Sequence, residues 1–502
     1  MNIKLNISIG VVLWIILSAL PVWAQNNEGG PPVRLHPENP HYFLFHERAT
    51  ALIGSGEHYG AVFNADFDYH KYLATLEAEG MNYTRLFGGS YVEVPGKSFG
   101  IQRNDLAPAA GKFVAPWARS SEPGYAGGGN KFDLEKWNPE YFRRLDDFLS
   151  EADRRGIVVE VTLFSSQYGE AQWALSPFKR ENNVNGTDAI DWKKLNTLEN
   201  GNILAYQENY VRKLVREANA HPNVIFEIAN EPWSDRPVLA DVINPYLFTG
   251  RDQYPNSVDL PDEATLAWQQ RVVDWIWNEE EKLPNKQLIA QDCCNFRYAM
   301  RSTLPHVSVV NFHYAYAEAA TLNYGLGTAL SYDETGFLGR EDDKYARQAW
   351  NFMLSGGGVF DHLDYSFSVG HEDGTDAEAN GPGGGSPELR RRLRILSEFL
   401  RGLPLLEMAP DSTTVKHAGG VAVHMLSSSK GEYAMYVDGN GPAEIVMNIP
   451  SGDYEFSWID VVTGSPKALG HFHHLGGRWM VRSPEFKNGM AMQLKRKQES
   501  GK

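Results

Sequence analysis

Cysteine is almost missing from this chain of 502 residues, and the only two, Cys293 and Cys294, stand side by side. A bond between neighbours strains the peptide it closes, because disulfides want Cα atoms about 4.4–6.8 Å apart. Buried thiols are therefore expected in preference to a vicinal disulfide, and no Cys/His spacing suggests a metal site. Basic residues are outnumbered, 47 Lys and Arg against 63 Asp and Glu, for a net charge of −16. That balance excludes a nucleic-acid surface, which needs clustered cations. The run Arg390-Arg391-Arg392 lies on a helical stretch beside Glu388 and Glu398, and reads as a solvated helix face. Long apolar runs are also lacking. The one from Ile9 to Leu20 follows Lys4 and precedes "PVWAQ", with Val22 and Ala24 at small-residue cleavage positions. It falls short of the ~20 residues of a membrane span. Residues 1–24 thus read as a signal peptide cut after Ala24, giving a secreted or periplasmic protein with no membrane insertion after cleavage. Residues 25–48 lead into the fold.

What is present is a rhythm. Eight apolar, β-rich runs begin at residues 50, 81, 156, 224, 287, 307, 329 and 356. Helical patterns separate most of them, at 68–79, 138–155, 202–220, 263–281 and 342–354, and another follows at 387–401. The connections 293–306 and 315–328 are short and give the weakest helical signal. Near-continuous apolar strands joined by crossovers imply a parallel sheet covered on both faces. Eight of them favour an α/β fold of the closed (β/α)8 barrel type, over residues 49–405. "GSGEHYG" after the first strand does not match the Gly-rich phosphate loop of an open doubly wound sheet.

Long insertions follow the second, third and fourth strands and carry Tyr91, Trp117, Tyr125, Trp173, Trp233, Tyr246 and Tyr254. Such loops leave the carboxyl ends of the strands, where barrel enzymes place their sites. "GHEDGTDAEANGPGGGSP" reads as a solvated mobile loop, with a calcium loop as the alternative, although its spacing matches no EF-hand. From 412 to 497 short alternating segments split by Gly, Pro and Asn read as a small antiparallel β-sandwich, an accessory domain without a carboxylate pair.

Polar residues collect at the strand ends: Glu57, His58 and Tyr59; Arg85; Asn230 and Glu231; His313 and Tyr314; Asp333 and Glu334; Asp364 and Tyr365. "VIFEIANEPW" (224–233) shows the principle. Pro232 cannot donate a ladder hydrogen bond, so an apolar strand stops with a carboxylate at its tip. Alternation turns Glu227 inward with Glu231, and makes Glu227 a partner for a buried basic group. Glu160 on the third strand reads the same way, and Asp333 is expected to face away from Glu334. Two carboxylates across a barrel mouth suit glycoside hydrolysis, one as proton donor and one as nucleophile or base.

Arg85 on the second strand, Asn230-Glu231-Pro232 ending the fourth, His313 after the sixth and Glu334 ending the seventh resemble glycoside hydrolase clan A. Within it the chain is most similar to family 5, the cellulase- and mannanase-like retaining enzymes. The resemblance implies Glu231 as general acid/base and Glu334 as nucleophile, with no cofactor and no metal. Arg85 would hold Glu334 ionised, His313 and Tyr314 would orient it, and Asn230 would bind a sugar hydroxyl. His58 reads as a turn cap or a sugar contact, and Trp233 as a stacking platform. The family has Tyr two residues after the sixth-strand His, whereas Tyr314 and Tyr316 lie one and three after His313. Its eighth-strand Trp is missing, and Tyr365 or Phe367 takes that place. The partner implied is an oligosaccharide or polysaccharide, and glucose-, mannose-, xylose- and galactose-configured β-substrates fit equally. The alternatives are a catalytically silent carbohydrate-binding protein on the same scaffold and a polysaccharide lyase.

Overall fold

The computed structural model describes residues 30–242, 255–379 and 381–497; the expected signal peptide, Tyr246 and Tyr254 lie outside them. Eight parallel strands close a barrel: β1 (Leu52–Gly56), β2 (Tyr83–Phe87), β3 (Val158–Ser165), β4 (Val224–Asn230), β5 (Leu288–Asn295), β6 (Val309–His313), β7 (Ala329–Glu334) and β8 (Val359–Leu363). Nearly every residue in them is buried, as expected for strands covered inside and out. The outer layer holds α1 (Tyr69–Ala78), α2 (Pro139–Arg154), α3 (Ile203–Ala218), α4 (Glu263–Glu280), α5 (Ala317–Asn323), α6 (Asp342–Met353) and α7 (Pro387–Arg401). Their starts are chemically marked. Asp68, Asn138, Asp262 and Ser386 each accept a backbone N–H of the first turn, and Pro139 and Pro387 open α2 and α7. The β5–β6 connection holds no helix, and β5 runs on to Asn295, past the expected end at 292.

A small sheet of Arg34–Leu35, Phe43–Phe45 and Arg48–Thr50 closes the amino-terminal end of the barrel. Val33, Phe43 and Phe45 pack there against the first residues of the strands, among them Leu52, Val158, Val309 and Val359. Apolar closure at the bottom leaves the upper barrel to polar residues.

Beyond the barrel, antiparallel strands from Met408 to Arg496 form a six-stranded and a three-stranded sheet around their own apolar core. Four of its strands were not expected: the short Met408–Pro410 and Val415–Ala418, and the longer Pro466–His474 and Gly477–Arg482. The last two alternate exposed positions with mostly half-buried ones, and their Gly, His and Arg residues thin out the apolar signal that marks a strand. The sandwich rests on α6, where Trp350 stacks on Tyr436 at 5.5 Å and Arg347 pairs with Asp438.

Two sequence expectations are reversed here. Arg390 is fully buried and ion-paired with Glu79 and Asp364, so only Arg391 and Arg392 belong to a partly solvated face, both paired with Glu388. The acidic Gly-rich segment is not a solvated loop either. Glu372 and Asp376 are buried, the first accepting the N–H groups of Asp68 and Gly370, the second bound by Arg103 and Ser368. Its glycines permit close approach: a Cβ on Gly381 would meet the Tyr365 ring at 2.4 Å.

The barrel interior is rich in acids, and Asp361 is the least supported. It is fully buried, and neither carboxylate oxygen meets a hydrogen-bond donor. Burial, with the Asp333 charge behind it, raises its carboxyl well above the usual range against the pull of Arg85. A raised folded pKa stabilises the fold only below the unfolded value. Stability is then lost by about 1.4 kcal/mol per pH unit as pH climbs from ~3.9 toward the folded pKa. Asp361→Asn should therefore gain melting temperature over the wild type by a margin that widens between about pH 4 and pH 8. Thermal unfolding at several pH values checks this, and a margin independent of pH contradicts it.

Candidate active site

The tip of β4 is built by a backbone turn. Asn230 is the last strand residue, and Glu231 adopts a left-handed conformation with φ of 44°. Its N–H donates to Asp292 Oδ2 at 2.9 Å, and its carbonyl accepts Ser166 Oγ at 2.7 Å. This turn breaks alternation, so Asn230 and Glu231 both border the same cavity. Asp292 is available because β5 bulges: Asp292 pairs with Asn311, but Cys294 already pairs with Phe312. The cysteines are buried, free thiols.

A second bulge shapes β7. Asn311 pairs with Ser331 and His313 with Glu334, so β7 carries one residue more than β6 across the step. Asp333 therefore does not face away as alternation suggested. It turns into the barrel, 3.3 Å from Arg85 Nε, and Glu334 rises into the cavity. Three donors hold Glu334: Arg85 Nη1 at 3.1 Å and Tyr59 Oη at 2.9 Å on Oε2, and Tyr314 Oη at 2.8 Å on Oε1. Arg85 also binds Glu227 through two nitrogens and donates to Asn230 Oδ1 at 2.8 Å. Glu227 is thus the inward partner of a basic group. Glu160 is not; it accepts from Tyr83 and Asn311.

Glu231 is buried to nearly the same degree as Glu334, their side chains 12% and 10% exposed. It accepts from Tyr168 Oη at 2.9 Å, and His313 Nδ1 stands 3.0 Å from it. His313 is farther from Glu334, at 3.7 Å, so its hydrogen bond goes to Glu231 while its charge still acts on Glu334, for which it was expected alone. Its other nitrogen faces Asp292 at 3.2 Å, which fixes the ring between the two acids. One oxygen of Glu231, one nitrogen of His313 and one oxygen of Glu334 all lie within 4.8 Å of one another. A metal ion could span these three atoms by distance alone, but the Arg85 guanidinium already contacts Glu334 from below.

The cavity measures about 270 Å³ and is lined by His58, Tyr59, Glu93, Tyr168, Asn230, Glu231, Tyr314, Glu334 and Tyr365, among others. Tyr365 thus borders the site, whereas Phe367 is buried against Tyr72 and Arg390. Arg85 sits behind Glu334 and outside the lining. Trp233 is not a stacking platform: the Pro232 turn sends it down, 2% exposed, edge-on to His313. Trp117, Tyr125 and Trp173 are core residues as well. Among the described residues the exposed rings lining the cavity are Phe99 and Phe337, which the sequence reading did not single out. Glu93 and Tyr168 were also missed. Six lining residues, Tyr59, Phe99, Tyr168, Glu231, Tyr314 and Phe337, have positive φ. Such strain in residues with side chains gathers at working sites.

The acids do not share charge equally. Burial opposes the Glu231 anion, but the hydrogen bond and charge of His313, with Tyr168, outweigh it and hold Glu231 below the ordinary range. Burial raises Glu334; His313, Arg85 and Tyr314 pull it down, the Glu231 charge pushes it up, and the net direction is upward. Burial works against the His313 imidazolium, yet the carboxylates of Glu334, Asp292 and Asp333 raise it well above its usual value. Removing a donor to an ionised carboxylate must raise its pKa. A hydrogen bond to a charged group is worth ~1.5–3 kcal/mol, so Tyr168→Phe should move the Glu231 midpoint up by about one to two pH units. A carboxyl-carbon NMR titration reads this directly, and an unmoved or lowered midpoint contradicts it.

No protein-family model and no curated relative matches the sequence. Solved structures do match. A glycoside hydrolase aligns with 93% of this chain and 97% of its own, at 10% identity and a TM-score of 0.60. A glycoside hydrolase family 5 protein from Bacteroides vulgatus aligns with 93% of each chain, at 11% identity and a TM-score of 0.60. At these identities the likeness is one of fold, and it agrees with the resemblance carried by Arg85, Asn230-Glu231-Pro232 and Glu334.

Proposed function

We propose that the protein is an exported retaining glycoside hydrolase acting on β-linked oligo- or polysaccharides through Glu334 and Glu231. One observation carries the reading: two largely buried carboxyls with an oxygen of each within 4.8 Å of the other, each held by several hydrogen-bond partners. Retaining enzymes hold their carboxyls about 5–5.5 Å apart, and inverting ones leave about 6.5–9.5 Å for a water. Glu334 attacks the anomeric carbon while Glu231 passes its proton to the departing glycosidic oxygen. The glycosyl-enzyme is then cleaved by water, with Glu231 taking the proton back. Arg85, Tyr59 and Tyr314 take up the charge on Glu334 before attack and after release.

The ligand-free pair rests with Glu231 the stronger acid, the reverse of the order the first step requires. The proton has to reach Glu231 when substrate fills the pocket, and His313 bridges the two carboxyls. This order also supports a second reading, with the roles exchanged. In either case residues 49–405 form the catalytic domain, and 412–497 an accessory one.

Azide rescue separates the readings. With a 2,4-dinitrophenyl β-glycoside, Glu334→Ala should lose several orders of magnitude in rate and, with azide, yield a glycosyl azide of inverted configuration. Glu231→Ala should keep a fast first step and stall at deglycosylation, azide then giving the retained product. Substrates with poor leaving groups should slow by about 10²–10⁴-fold in Glu231→Ala. Exchanged products mean exchanged roles. An inverted wild-type product, glycan binding without reducing ends, or full activity in either variant overturns the proposal.

A further inference from the structure

The pocket holds a third carboxylate that the two-glutamate chemistry does not use. Glu93 lies on the long loop after β2, 3% exposed, and borders the same cavity as Glu231 and Glu334. Asn104 Nδ2 donates to its Oε2 at 2.6 Å, and His58 Nε2 stands 3.9 Å from Oε1, beyond hydrogen-bonding range. Burial pushes the Glu93 carboxyl up to about 7, with Asn104 opposing. His58 is buried too, and its Nδ1 has no hydrogen-bond partner. Its ring packs beside Tyr59, which itself binds Glu334, and beside Tyr365. Two polar groups outside the two-glutamate chemistry, Glu93 and His58, therefore border the cavity close to the Glu334 side.

The cavity also has a direction. His58, Glu93, Ile101, Leu106 and Tyr365 are buried, whereas Phe99 and Phe337 are 43% and 57% exposed. Phe99 packs on Tyr168, which binds Glu231, and Phe337 on Tyr314, which binds Glu334, so the open side reaches both acids and a leaving group protonated by Glu231 has its way out there. The sugar that Glu334 attacks is left against the buried wall. At about 270 Å³ the space sits at the small end of ligand sites, which run ~300–1,000 Å³. Among the described residues none that lines it is Lys or Arg, so none of them balances a carboxylated or sulfated sugar.

Resting on the hydrolase reading above, we propose that this pocket takes one neutral, non-reducing terminal pyranose. Glu93 and His58 grip its hydroxyls opposite the anomeric carbon, and the enzyme removes single sugars from chain ends. A carboxylate accepts from two neighbouring hydroxyls, and a neutral imidazole nitrogen adds a donor or an acceptor. A chain continuing beyond that ring would have to pass through the wall that Glu93 closes.

The probe is the 4-nitrophenyl β-glycoside of whichever neutral pyranose is turned over fastest, with its 4-deoxy and 4-O-methyl forms and an oligosaccharide labelled at its reducing end. The wild type should shorten the labelled chain one sugar at a time and leave the 4-O-methyl form essentially intact. Glu93→Gln keeps an acceptor for Asn104 and should lose at least tenfold in kcat/KM on the parent glycoside. On the 4-deoxy form the two proteins should differ by less than threefold. Internal cleavage, ready hydrolysis of the 4-O-methyl form, or an equal Glu93→Gln loss on parent and deoxy substrates overturns the inference and leaves the hydrolase reading standing. Failure of the wild type to hydrolyse any neutral glycoside overturns both.

Discussion

The upper barrel depends on the burial of one guanidinium. Arg85 is 1% exposed, and acids approach it from several strands: Glu227 from β4, Asp292 from β5, Asp333 and Glu334 from β7. A buried cation without partners is costly, and so is each of these carboxylates alone. Together they make an arrangement in which removing the centre would strand several charges at once. The planar fork matters as much as the charge. It binds Glu227 through two nitrogens while still reaching Glu334 and Asn230, a geometry a lysine cannot reproduce. Tyr59 and Phe87 lie over it at 4.8 and 5.5 Å, between the guanidinium and the cavity that Glu334 and Asn230 reach.

His313 is the second cation and has a different task. Asp292 fixes one nitrogen, and the other stands between Glu231 and Glu334. Because Asp292 also accepts the Glu231 N–H, one side chain sets both the backbone turn at the tip of β4 and the orientation of the ring. The two acids at the mouth thereby receive different surroundings from one shared scaffold. Pairs of titratable groups pushed apart in pKa mark acid/base division in general, and here the separation comes from which neighbour each acid touches.

The barrel was legible because eight apolar runs and their helices recur at regular spacing, and the end of β4 was legible because proline stops a strand regardless of context. That placed Glu231, Glu334 and Arg85 at strand ends, and the resemblance to clan A singled them out there. What escaped was whatever depends on broken alternation. The β7 bulge sends Asp333 inward, the β5 bulge presents Asp292, and the turn at Glu231 buries Trp233; none leaves a mark in residue order. Glu93 and Tyr168 sit in long insertions whose path the sequence does not state. Arg390 looked solvated because a basic run on a helix usually is, and its partners lie off that helix, Asp364 26 residues and Glu79 311 residues away along the chain.

The strained residues tie these points together. A positive φ costs free energy at any residue with a side chain, and six of the described residues with one line a single cavity. Tyr59, Tyr314, Tyr168 and Glu231 share more than strain: each is a catalytic candidate or hydrogen-bonds to one. A β-strand can offer only every second side chain to the barrel mouth. A left-handed residue just past the strand end turns the chain so that a neighbour of the expected side chain also reaches in. The barrel, stiff and apolar below, tolerates that cost at its rim, and the gain is a density of polar groups that regular strands cannot supply.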